Sequence, residues 1–221
     1  MKNDLMKRFL SSIIILPIVL VVIIKGSIFF NFFLFILFLL SIFEWININK
    51  HKTFYKIFGI IFLIFSFYSA YQFRNSIDLN FFLFIILICV FTDIGGYIFG
   101  KVFKGPKLTH ISPNKTYSGV FGSLGLSVLL GLIFVEKINL SFEFVFYSKE
   151  FELGNIYEFK IIFFILIISV LSQIGDLIIS YFKRLANVKD TGNILPGHGG
   201  VLDRIDGLIF VIPILYIYIV I

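Results

Sequence analysis

Asp93 and Asp176 each stand inside an otherwise apolar run of the chain. Asp93 lies eight residues before Lys101 and Asp176 seven before Lys183, which at 1.5 Å per helical residue places both carboxylates about 10–12 Å below the ends of their helices. A carboxylate at that depth needs a partner or an aqueous cavity, and two at one depth repel unless a cation or a proton lies between them. The plainer alternative is a protonated or helix-capping Asp beside Gly95-Gly96 or Gly175.

Both runs lead into loops of unusual composition. The first, 100–117, has four lysines and no acid, and it ends on Ser112-Pro113-Asn114-Lys115-Thr116. The second runs from Lys183-Arg184 through Lys189-Asp190 to Pro196-Gly-His-Gly-Gly200 and Asp203-Arg204-Ile205-Asp206, with four cations against three carboxylates. Glycines such as Gly197, Gly199 and Gly200 allow positive φ, so consecutive amides can point at phosphate oxygens. Lysine supplies point charges and arginine a bidentate fork. Carboxylates among so many cations suit hard oxygen ligation of Mg²⁺ shared with nucleotide phosphates, and the mixture points to phosphoryl or nucleotidyl transfer. Taken singly, Lys101, Lys104 and Lys107 also read as topology determinants, His198 as an ordinary loop histidine, and Asp203 and Asp206 as helix-capping acids.

The elements that must position these groups are membrane helices. The 221 residues are 59% apolar and 14% charged, with a mean hydropathy of +1.01, whereas a soluble domain is about a quarter charged. Apolar stretches fall near 9–24, 28–43, 55–73, 79–99, 118–135, 160–182 and 207–221. The expected fold class is therefore all-α: a polytopic helical integral membrane protein of about seven transmembrane helices forming one domain over 1–221, with a cytoplasmic-side active site. Lys25-Gly26-Ser27 predicts a tight turn, the first run reads as a retained span, and Trp45 as an interfacial anchor. The 31 phenylalanines, scattered through all spans, read as lipid-facing filler. Cys89 is the only cysteine, which excludes an intramolecular disulfide and a cysteine-rich zinc site. The net charge of +6 does not call for nucleic acid, because 14 of the 19 Lys and Arg fall on segments 1–8, 44–54 (with Lys56), 100–117 and 183–206. The positive-inside rule puts those segments, and the N-terminus, in the cytoplasm.

The run Ser180-Tyr181-Phe182-Lys183-Arg184, Lys189-Asp190, Pro196-Gly-His-Gly-Gly200 and Asp203-Arg204-Ile205-Asp206 resembles the signature of the phosphatidate cytidylyltransferases, or CDP-diacylglycerol synthases. Ser172-Gln173-Ile174-Gly175-Asp176-Leu177 and the stretch from Asp93 to Thr116 are similar to that family's other conserved segments, so that 92–207 carries the motifs. The resemblance implies an enzyme of phospholipid biosynthesis that joins CTP to phosphatidic acid in the bilayer and releases pyrophosphate. It implies Mg²⁺ held by Asp176 and Asp203, with a second, potassium-type cation (K⁺). Lys183, Arg184, Lys189, Asp190 and His198 then join those two as catalytic candidates. Asp93, Ser112, Lys115, Thr116, Gly197, Gly199, Gly200, Arg204 and Asp206 are candidates for substrate binding. Ser118, Gly207 and Ile94-Gly95 depart from the family pattern. The implied partners are CTP, phosphatidic acid and membrane lipids, with a homodimer as an optional assembly, and the implied location is the bacterial plasma membrane (the cell inner membrane). Rival readings are a CTP-dependent lipid kinase, a CDP-alcohol phosphotransferase, or an ion transporter using Asp93 and Asp176.

The topology is checked by Asn193→Cys in a Cys89→Ser background. An impermeant thiol reagent is expected to label it from the cytoplasmic side only, and labelling from outside intact cells refutes the orientation.

Overall fold

The computed structural model describes residues 17–50, 52–76, 78–138, 154–195, 197 and 199–220. These form helices α1 (17–25), α2 (Ser27–Ile48), α3 (Thr53–Ser76), α4 (Leu79–Phe103), α5 (Tyr117–Ile138), α6 (Gly154–Leu185), the single turn α7 (Leu202–Ile205) and α8 (Leu208–Val220). The described residues hold no strand, only isolated bridges between Lys107 and Thr116 and between Leu195 and Gly199. Five helices are long and apolar enough to cross a membrane: Ser27–Ile48, Thr53–Ser76, Leu79–Phe103, Tyr117–Ile138 and Phe159–Leu185. Of the other two expected spans, the last is the shorter apolar helix Leu208–Ile219, and the first is described only from residue 17. The expected cytoplasmic segment 1–8 and most of the loop 136–159 lie outside the described residues. At the Lys25-Gly26-Ser27 turn the helix breaks with φ of 61° at Gly26 and 51° at Ser27.

In lipid, helices gain nothing by hiding apolar surface from one another, so small residues and polar side chains hold them together. Thr92 Oγ1 of α4 donates to Ser169 Oγ of α6 at 2.9 Å, and Ser66 Oγ of α3 lies 2.8 Å from the Ile209 carbonyl of α8. α4 and α5 cross at backbone contact. A Cβ on Gly95 would lie 2.8 Å from Gly122 O and from Ser123 Cα.

Two apolar clusters divide the interior. The larger is built on Phe73, Phe81, Phe84, Ile85, Ile88, Ile165 and Val211. Phenylalanine therefore does more than face lipid: Phe73 and Phe81 stack at 5.9 Å and Phe81 and Phe164 at 5.8 Å, while Phe29, Phe32, Phe43 and Phe121 point outward as expected. The smaller cluster joins Trp45, Leu63, Phe67, Ile179, Leu202 and Ile209. Trp45 is consequently a core residue and not an interfacial anchor. Gly59 leaves room for its ring, and its Nε1 donates to Tyr55 O at 3.1 Å, which satisfies the one polar atom that would favour the interface.

The described segments expected on the cytoplasmic side, 44–50, 100–117 and 183–206, converge at one end of the bundle. Arg184 Nε donates to Ile111 O at 3.2 Å, and Thr191 Oγ1 donates to Glu44 Oε2 at 2.8 Å. Arg74, expected on the other side, seals the α1–α2 break by donating to Ile23 O and Ile24 O at 2.9 and 3.2 Å.

The α4–α5 contact generates a paired test. Gly95→Ala meets backbone that cannot yield and is expected to destabilise the protein by about 1–3 kcal/mol. Gly125→Ala, whose Cβ meets nothing within 4 Å, is expected to be neutral or mildly stabilising through helix propensity. Thermal unfolding in detergent compares the two.

Candidate active site

The first loop is folded so as to present one ammonium. Leu108 N donates to Lys115 O at 2.8 Å and Lys115 N to Ser112 O at 3.0 Å, closing a tight turn. Thr116 Oγ1 accepts from Gly119 N at 3.2 Å and thereby caps α5. Ser118 ties this cap back by donating to the Lys104 carbonyl and lying 3.0 Å from Thr116 Oγ1. Lys115 is left reaching into the bundle, with Nζ 2.6 Å from Asp176 Oδ2. Ser180, one turn along α6, donates to Asp176 Oδ1 at 3.2 Å.

Asp176 has two acidic neighbours. Asp206 hydrogen-bonds to it, and Asp93 lies within electrostatic reach of Asp176, Lys115 and Arg204. The two acids expected at one depth, Asp93 and Asp176, thus feel each other's charge. Burial, then the Asp176 and Asp93 charges, push Asp206 well above the usual carboxylate range.

A second network surrounds Asp203. Lys183 Nζ lies 2.7 Å from Oδ1, while Thr191 N, Thr191 Oγ1 and Gly200 N lie 2.8, 3.0 and 3.1 Å from Oδ2. Lys183 is also within electrostatic reach of Asp176 and Asp206, so it links the two networks. The loop takes positive φ at Gly197 (78°) and Gly199 (84°), as its glycines predicted. The amide of Gly200, expected to cradle a phosphate, is committed to Asp203, because the protein supplies its own anion there. Thr116, expected on substrate, spends its hydroxyl on the α5 cap. Arg184 spends Nε on Ile111 O and Nη1 on Val188 O at 3.1 Å, which locks the two loops together. Lys189, Asp190 and Arg204 are exposed around the site. His198 lies outside the described residues.

The implied Mg²⁺ can be tested against these donors. Asp176 and Asp203 each already hold an ammonium, Lys115 at Asp176 Oδ2 and Lys183 at Asp203 Oδ1, so hard oxygen donors that bind a cationic group are present at both. The second oxygen of each accepts from protein donors, Ser180 at Asp176 and Thr191 and Gly200 at Asp203, so a cation at either carboxylate would take the place that an ammonium holds. Asp206 brings a further hard oxygen beside Asp176. Among the described residues no three Asp, Glu, His or Cys side chains form a metal cage, and Mg²⁺ typically takes one or two carboxylates and completes its shell with water and phosphates.

Sequence reasoning missed Glu44 and Thr191. Glu44 is 1% exposed and is the one acid between Asp4 and Asp78, a signal that could have exposed it. Ser172 packs against Gly207, where a Cβ would lie 2.3 Å from Ser172 Oγ. Gln173 Nε2, one helical turn deeper than Asp176, is buried without a partner. Beside the loop, an apolar cleft of about 220 Å³ runs between Phe58, Phe62, Ile179, Phe182, Leu202 and Phe210.

Fold and site define a polytopic helical membrane protein with interlocked carboxylate and ammonium groups at one end of the bundle. Residues 50–221 match the model of the Cytidylyltransferase family, and the chain belongs to that family. It is 32% identical over 220 residues to the phosphatidate cytidylyltransferase of Rickettsia felis, covering 97% of this chain and 92% of that protein. It is 35% identical over 221 residues to the Rickettsia bellii protein of the same name, at 97% and 90% coverage. The Staphylococcus epidermidis protein of that name is 40% identical over 151 residues, 68% of this chain and 52% of its own length.

The Lys115–Asp176 pair gives a sign test. Lys115→Met strands a carboxylate beside Asp206 and Asp93. With side chains 24% and 29% exposed, the loss is expected below that of a fully buried pair, at about 2 kcal/mol. Adding Asp176→Asn is expected to recover most of that stability in thermal unfolding while leaving the protein inactive.

Proposed function

We propose that this protein is a phosphatidate cytidylyltransferase of the bacterial plasma membrane, with its N-terminus and site on the cytoplasmic side. In the reaction, a phosphate oxygen of phosphatidic acid attacks the α-phosphorus of CTP. The bond from that phosphorus to the bridging oxygen breaks, and pyrophosphate leaves with the electron pair. A phosphate oxygen is already a competent nucleophile near neutral pH, so neither a covalent intermediate nor a strong base is required. The protein's task is to align two polyanions and offset their charge. The observation that supports this best is the meeting, within the family-matched residues, of the Lys115–Asp176–Asp206 and Lys183–Asp203 networks.

Each residue has a physical role in this reading. Lys115 and Lys183 are held in place by carboxylates, so phosphate oxygens compete for ammoniums already oriented toward the site. Lys189 and Arg204 extend that positive field to the exposed side. Asp176 and Asp203, with Asp206 beside Asp176, would hold Mg²⁺, which when bound neutralises nucleotide phosphates; a monovalent cation beside it would act in the same sense. Gln173 offers a donor, deeper than Asp176, to the glycerol ester region of the lipid. The apolar cleft beside Leu202 takes an acyl chain, opposite the CTP that arrives from water.

Purified protein incubated with phosphatidic acid, labelled CTP and Mg²⁺ is expected to move label into the lipid phase, and no transfer refutes the proposal. Asp176→Asn keeps shape but removes charge. It is expected to lower turnover by roughly 10²-fold, about 2.7 kcal/mol of transition-state stabilisation, while the protein purifies normally.

A further inference from the structure

Glu44 belongs to α2, six residues before the family match begins at residue 50. It is almost fully buried, yet its carboxylate has a complete set of donors, all from the loop between α6 and α8. Val201 N donates to Oε1 at 2.8 Å, while Leu202 N and Thr191 Oγ1 donate to Oε2 at 2.9 and 2.8 Å. The fit is close enough to dictate the loop sequence. A Cβ on Gly192 would lie 2.6 Å from Oε1, and one on Gly200 2.5 Å from Oε2. The placement does not serve α2, because a carboxylate near a helix C-terminus opposes the macrodipole. It serves the loop.

We propose that Glu44 is the positioning residue of the active-site loop, fixing Thr191 and the 200–202 turn so that Asp203 faces Lys183. The link is short. Thr191 Oγ1 lies 2.8 Å from Glu44 Oε2 and 3.0 Å from Asp203 Oδ2, and Gly200, which donates to Asp203, is followed directly by the two amides held by Glu44. Any displacement of the 200–202 turn from Glu44 therefore moves the donors that orient Asp203, and through Asp203 the Lys183 ammonium. The catalytic consequence rests on the function proposed above; the loop geometry does not.

The test uses full-length protein carrying Cys89→Ser and Asn193→Cys, which reports loop exposure through its rate of thiol modification. Glu44→Gln presents an amide N–H₂ to a donor that had an acceptor. It is expected to raise that rate at least fivefold and to lower kcat by 10- to 100-fold, with the thermal midpoint close to the parent's. Thr191→Val is expected to act in the same direction, Thr191→Ser to restore parental behaviour, and Glu44→Gln with Thr191→Val to lose little beyond Glu44→Gln alone. Parental cysteine reactivity and kcat in Glu44→Gln overturn the proposal. If Glu44→Gln does not fold, the Thr191 pair decides, and equal reactivity of Thr191→Val and Thr191→Ser overturns it. A parent without cytidylyl transfer refutes the proposed function, while the cysteine rates still judge the clamp.

Discussion

A carboxylate taken out of water among apolar helices must be surrounded by donors or it does not stay ionised. In this chain other segments supply most of those donors. Glu44 takes its donors from 191–202, Asp176 takes Lys115, and Asp203 takes Lys183 and the backbone of its own loop. Because lipid gives helices little reason to associate, these pairings are what define how the two long loops sit over the bundle. Removing one side leaves a charge or a donor stranded in low dielectric, which is why the networks act as units.

The same arithmetic sets the character of the site. Two ammoniums and their carboxylates nearly cancel, so the bundle end tolerates its own charge without substrates. Polyanions then enter a place where cations are fixed by hydrogen bonds and need little reorganisation, which is the electrostatic condition for stabilising charge that develops during transfer. Arg184 contributes by locking the loops and not by standing free, as its bonds to Ile111 O and Val188 O show.

The fold was legible because its signals are local. Apolar run length marked the five long helices, and basic residues marked the segments that meet at one end. Asp93 and Asp176, expected at one depth from a nearly constant helical rise, lie within electrostatic reach of each other. Other features turn on which group each residue meets once the loops are folded. Sequence alone does not say that the Gly200 amide is spent on Asp203 or that Thr116 caps α5, although both contacts span only three residues, and Trp45 next to basic residues looks interfacial until Gly59 is seen to admit its ring. Glu44 was readable in principle, as an isolated acid at the end of an apolar run, but it was overshadowed by the lysines that follow it.

The N-terminal helices would otherwise look like mere membrane ballast, since the charged motifs all lie beyond residue 90. Their contribution becomes clear from the two faces of one short turn. Leu202 is fully buried against Trp45, Leu63, Ile179 and Ile209, while its amide and that of Val201 bond to Glu44. The turn is thus seated by an apolar contact that fixes its depth and a polar contact that fixes its rotation. α2 supplies a member of both, Trp45 and Glu44, from adjacent positions near its C-terminal end. A helix that merely filled lipid would need neither residue buried. Because Asp203 directly follows Leu202, depth and rotation of that turn together determine where its carboxylate points, so the orientation of the charged site depends on a helix that carries none of its motifs.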